Sequence, residues 1–461
     1  MSSLLVKNAR SIVTMDDARR RIPGGSLYAE GQEIVALGPE IPYTAADEVI
    51  DAQGCIVYPG LINCHHHLFQ TLTRNIPQAQ DRALTAWLVT MYNIWAGLWP
   101  EYVQLAARVG LGELLKSGCT TSADHCYLFP RSCASGLLDH VIHAAAETGI
   151  RFHVLRGSMS LGKSHGGLPP DDVCQSTDVI LADSQRAIEA HHDATRFSTC
   201  RVGVGPCSLR TVEAATWREL AALGRAYHVQ LHTHLGETPD EIPFTEQVYG
   251  MRPLAFLESC GWAGADVWFA HGIWFNDDEV ARLGAARSGI AHCPVANCKL
   301  SSGVSRVPEL RARGARVGLG VDGSASNDCS DLLFEARVCH LIHKLRHGPT
   351  ALPAEEVLWV ATRGGAQVLG RDDIGSLEVG KAADLWLVRT DRIDLAGGLF
   401  DEATLPILCG SGQIVDTVVV GGRVRVRHGR LVDVDEERLA HEAARASGEL
   451  LARAGARIGA V

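Results

Sequence analysis

The chain has 461 residues, 46% of them hydrophobic, and its 43 Lys and Arg stand against 53 Asp and Glu for a formal net charge of −10. This length suits one large core with a smaller satellite domain; the mixed acidic excess excludes a nucleic-acid backbone as partner, and no apolar run reaches the length of a membrane span. Fourteen Cys occur without a C-x-x-C pair, and residues 1–7 turn polar too early for a signal peptide, so reduced cysteines filling core in a cytoplasmic setting are expected.

Residues 1–55 hold short strand-like runs, Leu4-Leu5-Val6, Ser11-Ile12-Val13 and Glu33-Ile34-Val35-Ala36-Leu37, broken by Gly and Pro. Residues 56–62 are mostly apolar and read as one buried strand delivering the chain to His65-His66-His67. Residues 102–116 carry a helical stripe at Val103, Ala106, Ala107, Leu111, Leu114 and Leu115. Gly118 follows as a C-cap, and Cys119 to Asp124 begin the next strand. The stripe Leu137, Leu138, Val141, Ile142 and Ala145 stops at Gly149, before a strand over 151–155. Residues 157–175 form a segment too long and polar for a simple connection, and such loops are usually functional. Thr211 is placed to N-cap a helix running to Tyr227. Further strands fall at 229–234, 267–270, 289–292 and 316–321, with helices between. This alternation predicts an α/β chain, a (β/α)8 TIM-type barrel over 59–374. Residues 375–433 return to strand texture. Neither flank is long enough for its own core, so 1–58 and 375–433 are expected to pair into one composite β-sandwich, with a helix in 434–461.

Four stretches carry chemistry: His65-x-His67, His232-Thr233-His234-Leu235-Gly236-Glu237, Ala270-His271-Gly272 and Gly320-Val321-Asp322-Gly323. On a strand, residues two apart share a face, so His65 and His67 can reach one ion while His66 points away. His232 and His234 also share a face, and which of them binds is open. Each group sits at the C-terminal end of an apolar run, where a parallel barrel keeps its chemistry. Three imidazoles and a carboxylate suit Zn2+ or Fe2+, and a further Glu and His are what hydrolysis by an activated water needs. A lone buried His is usually core; suitable groups gathered at the ends of four separate apolar runs read as a metal site. The zinc base deaminases with P-C-x-x-C are a different design, and this chain has no such motif.

Pro59-Gly60-Leu61-Ile62-Asn63 before His65-x-His67, and Gly375-Ser376-Leu377-Glu378-Val379-Gly380-Lys381-Ala382-Ala383-Asp384-Leu385, resemble the amidohydrolase superfamily, in its mononuclear deaminase and chlorohydrolase branch. The resemblance implies a distorted barrel with a β-sandwich built from both termini, often in a homo-oligomer. It implies His65, His67, His234 and Asp322 as metal ligands, with Asp322 also accepting the proton of the attacking water. It further implies Glu237 as proton shuttle to a ring nitrogen and His271 as the group holding the nucleophile. His232 falls outside the ligand position. The strand Arg201 to Cys207 offers no Lys to bridge a second ion, so one divalent ion per chain is expected, Zn2+ or Fe2+. The run His65 to Arg74 and the stretch Gly166 to Pro170 most resemble the branch acting on 8-oxoguanine, close to hydroxytriazine and isocytosine hydrolases. A small purine or pyrimidine base is therefore the expected partner. Gln70 is placed to read a purine amide edge, and Trp95 and Arg156 are further pocket residues. The rival readings are a hydrolase that displaces chloride or an alkylamine from a triazine at the same metal site, and a catalytically silent scaffold, against which the intact ligand set speaks.

Overall fold

The computed structural model describes residues 2–132, 136–410 and 413–458, with side chains to residue 455. Eight parallel strands close into a barrel in the order Cys119–Cys126, Arg151–Ser158, Cys200–Pro206, Leu231–Leu235, Val267–His271, Gly289–His292, Arg316–Leu319 and Leu61–Asn63. Leu61–Asn63 makes the closure, pairing with Cys119–Cys126 on one side and through Asn63 with Leu319 on the other. The helices between strands bury one stripe each. Leu137–Thr148 turns Leu137, Leu138, Val141, Ala144 and Ala145 inward and stops at Gly149, whose φ of 71° makes it a left-handed C-cap.

Two local expectations are corrected. Residues 56–62 are two strands in two sheets: Cys55–Pro59 lies in an outer sheet and Leu61–Asn63 in the barrel. Gly60 makes the passage, since a Cβ there would stand 2.0 Å from Thr120 Oγ1. Hydrophobic periodicity misses the switch because both halves are buried and apolar. Thr211 caps nothing; the helix is Ala214–Ala226, it starts after Glu213 without a side-chain cap, and Thr211 Oγ1 accepts the Ser208 N–H at 3.0 Å.

Strands from both ends of the chain share one seven-stranded sheet, ordered Arg430–Leu431, Arg423–Arg427, Val415–Val420, Leu385–Arg389, Cys55–Pro59, Ser11–Val13 and Arg21–Pro23. A four-stranded sheet of Glu33–Gly38, Ser26–Glu30, Ser3–Lys7 and Glu48–Asp51 packs with it around Leu4, Val6, Ile12, Leu27, Val57, Leu385 and Val419. Arg151 at the start of a barrel strand holds Asp384 through Nε at 2.7 Å and Nη2 at 3.1 Å, both side chains buried. Removing one partner of such a buried pair costs about 3–5 kcal/mol, because the other charge is left uncompensated.

The terminal helix Glu436–Ile458 lies over Leu84–Trp95 and Pro100–Lys116. Its Ser447 hydroxyl donates to Leu72 O at 2.6 Å, so it braces the 3-10 turn Leu68–Thr73 that leaves the site. Among the described residues every Cys is free and no helix is long and apolar enough to cross a membrane.

Candidate metal centre and active site

The proton positions on four histidines follow from their hydrogen bonds. His67 Nδ1 faces His125 O at 2.8 Å and His234 Nδ1 faces Cys207 O at 2.7 Å. A carbonyl only accepts, so each Nδ1 carries the proton and each Nε2 is a bare lone pair. His232 Nδ1 likewise donates to Trp268 O at 3.0 Å, leaving its Nε2 to accept from His65 Nδ1 at 2.8 Å. His65 Nε2 is therefore bare as well, and it is buried with no hydrogen-bond partner.

These three lone pairs converge. His67 Nε2 and His234 Nε2 are 3.0 Å apart, two acceptors face to face when both rings are neutral. Asp322 Oδ1 stands 3.3 Å from His65 Nε2 and 3.2 Å from His67 Nε2. Burial pushes the His65 imidazolium down to about 3 against the pull of Asp322, and burial also holds His232 and His234 well below their ordinary value. Burial thus disfavours a proton on His65 or His234; a divalent cation of borderline softness would satisfy the converging nitrogens and Asp322 together, and the donor set fits one. No Lys stands on Cys200–Pro206, which presents Gly205 to His125 and accepts its Nε2–H at 2.7 Å on Gly205 O.

Asp322 and His271 both sit in left-handed backbone, with φ of 59° and 71°. Such conformations in residues other than Gly concentrate where function overrides local preference. Asp322 is held there by accepting from Gly323 N at 2.7 Å and Ser326 Oγ at 2.9 Å. His271 donates from Nδ1 to Asn297 Oδ1 at 2.9 Å, and its Nε2 lies 3.6 Å from Glu237 Oε1. Glu241 fixes the turn before its helix, accepting from Gly236 N and Glu237 N, both at 2.8 Å. Burial raises the Glu237 carboxyl well above the carboxylate range, with Asp322 and Glu241 adding to it. Burial thus favours the protonated form of Glu237 beside the cluster.

A cavity open to solvent ends on His67, His234, Glu237, His271 and Asp322. Gln70 lines it, with its Oε1 buried and unpartnered. Leu168 of the long loop reaches it too. Trp95 and Arg156 do not. Trp95 packs edge-on against Phe69 and donates to Thr73 Oγ1 at 3.0 Å, one layer behind the wall. Arg156 is spent on Asp183 at 2.9 Å and Gln175 Oε1 at 2.7 Å, over the Phe129 ring. The aromatic wall is instead Trp87, Tyr92 and Tyr127. Sequence reading missed His125, Asn297 and Glu241. Asn297 and His125 show no spacing signal, whereas Glu241, four residues beyond Glu237, offered a weak one.

Known proteins resemble this chain over nearly its whole length. The amidohydrolase family profile matches residues 56–425. The chain is 42% identical to an 8-oxoguanine deaminase of Pseudomonas aeruginosa, covering 94% of this chain and 96% of that one. It is 38% identical to a hydroxydechloroatrazine ethylaminohydrolase of a Pseudomonas species, over 96% and 95% of the two chains. The crystal structure of the atrazine chlorohydrolase of Arthrobacter aurescens TC1 complexed with zinc superposes with a TM-score of 0.93 at 34% identity, over 96% of this chain and 100% of that one. With its barrel, its converging histidines and these relatives, the chain belongs to the amidohydrolase family.

Proposed function

We propose that the protein is a metal-dependent aminohydrolase that converts 8-oxoguanine and water to urate and ammonia. The carrying observation is the convergence of His65, His67 and His234 nitrogens with Asp322 at the floor of a cavity that also holds Glu237, a carboxyl that burial pushes toward its protonated form. One divalent ion, Zn2+ or Fe2+, held by these four residues would lower the pKa of a water enough to make hydroxide available near neutral pH.

The chain's own groups do the rest. Glu237 gives its proton to the ring nitrogen of an N=C–NH2 unit, which makes the carbon electrophilic. Asp322 takes the proton of the attacking water, and His271 holds the attacking oxygen by a hydrogen bond. Asp322 then passes its proton to the amino group, ammonia leaves, and the new hydroxyl returns a proton to Glu237. Protons balance over the cycle.

The same cluster would serve guanine, isocytosine or a triazine amine or chloride. The relative at 42% identity favours the oxopurine, and so does Gln70. Gln70 lines the cavity, where its amide can pair with the C=O and N–H edge of an oxopurine. A site built to pair a particular polar group rejects the analogue without it by orders of magnitude. An ammonia-release screen over 8-oxoguanine, guanine, isocytosine and hydroxylated triazines tests this. The kcat/KM for 8-oxoguanine should exceed that for guanine by at least about tenfold. A better guanine or triazine rate overturns the substrate and leaves the hydrolytic chemistry standing. A cytoplasmic homo-oligomer belongs to the same proposal, and light scattering checks the assembly.

A further inference from the structure

A second group of buried donors lies outside the cavity. His292 ends the barrel strand Gly289–His292, and the helix Leu332–His347 carries Cys339 and His343 four residues apart on one face. All three side chains are buried, and each offers a ligand atom within 4.8 Å of the other two. The Nε2 atoms of His292 and His343 are 3.3 Å apart, and neither Nδ1 has a hydrogen-bond partner. At the catalytic cluster carbonyl acceptors fix the tautomers; here the two Nε2 atoms have only each other, sharing one proton between them, and a cation would take that proton's place.

We propose that His292, Cys339 and His343 form a second metal site, structural in role, that takes a thiophilic d10 cation, Zn2+ by preference. Two imidazole nitrogens and a thiolate are a zinc donor set, and a water completes the tetrahedron. Burial, with Glu335 adding to it, keeps the Cys339 thiol protonated, so loading releases that proton. Access is short: His347, exposed at the helix end, stacks on the His343 ring at 5.7 Å. The site would clip a barrel strand to the helix of a later repeat. It takes no part in the reaction, because none of its residues lines the cavity.

The catalytic donor set proposed above contains no sulfur, so a thiolate signal separates the two sites. The full-length chain is to be produced with cobalt as the only added metal. Its spectrum should show thiolate-to-cobalt charge transfer in the near ultraviolet, with about two equivalents bound per chain. Cys339→Ser should remove that band and one equivalent while ammonia release stays near wild type. His343→Gln should do the same, as a second variant should the first not fold. A folded wild-type chain without the thiolate band, or a band that survives both substitutions, overturns the proposal. Failure of the catalytic reading would show instead as loss of the sulfur-free equivalent with the band intact.

Discussion

His65-x-His67 and His232-x-His234 share one spacing and enter one cluster, yet they contribute differently. In the first pair both rings turn Nε2 toward Asp322. In the second only His234 joins them, and His232 turns back to accept from His65 Nδ1. The cause is depth in the barrel. The ladder of Leu61–Asn63 ends before His65, and His66 and His67 pair instead with Asp322 and Gly323 in a short separate ladder at the rim. His232 lies within Leu231–Leu235, one step deeper, its ring stacked on Trp268 at 4.6 Å. Under the proposed ligand set, the same motif therefore supplies two ligands at a rim but one ligand and one supporting acceptor inside a strand.

The sharpest way to break this comparison is to exchange the two members of the second pair. His234→Ala should lose the catalytic cation and all measurable ammonia release, a loss well beyond the ~10–100-fold that removal of a supporting partner costs in metal affinity. His232→Ala should fall within that ~10–100-fold range, and His232→Gln should recover part of it, since an amide oxygen can still accept from His65 Nδ1. Metal titration of the three variants checks both; equal losses at 232 and 234 would erase the distinction.

A pH profile addresses the acid that stands beside both pairs. Glu237 must be protonated to act, and burial raises its pKa. The kcat/KM should therefore hold through the acidic side of neutrality and fall as pH rises through that raised pKa. Retention of the alkaline fall in Glu237→Gln would assign it to another group. The smallest effect is expected at the rim. Gln70→Ala should lower kcat/KM for 8-oxoguanine by about tenfold and leave the cation bound.

The barrel was legible in the sequence because its strands and helices alternate in period and its Gly caps stand where helices stop, as at Gly149. The cluster was legible because His65, His67, His234, Glu237, His271 and Asp322 each end an apolar run. What stayed hidden depends on packing direction. Trp87 and Trp95 lie on one helix, eight residues apart, and only the fold shows that Trp87 faces the cavity while Trp95 backs Phe69. Arg156 reads as a pocket cation until Asp183 and Gln175 are seen to occupy it. The change of sheet at Gly60 is invisible to hydrophobicity, since the constraint is the Thr120 side chain of another strand.

The central claim is that this site separates holding a cation from delivering a proton, with His65, His67, His234 and Asp322 on one side and Glu237 on the other. Glu237→Gln tests it most directly, measured for bound metal and for ammonia release from 8-oxoguanine on the same preparation. The variant should keep an undiminished catalytic equivalent of metal, with turnover reduced by about 10²–10⁴-fold. Loss of that metal, with near-normal turnover once it is restored, would contradict it.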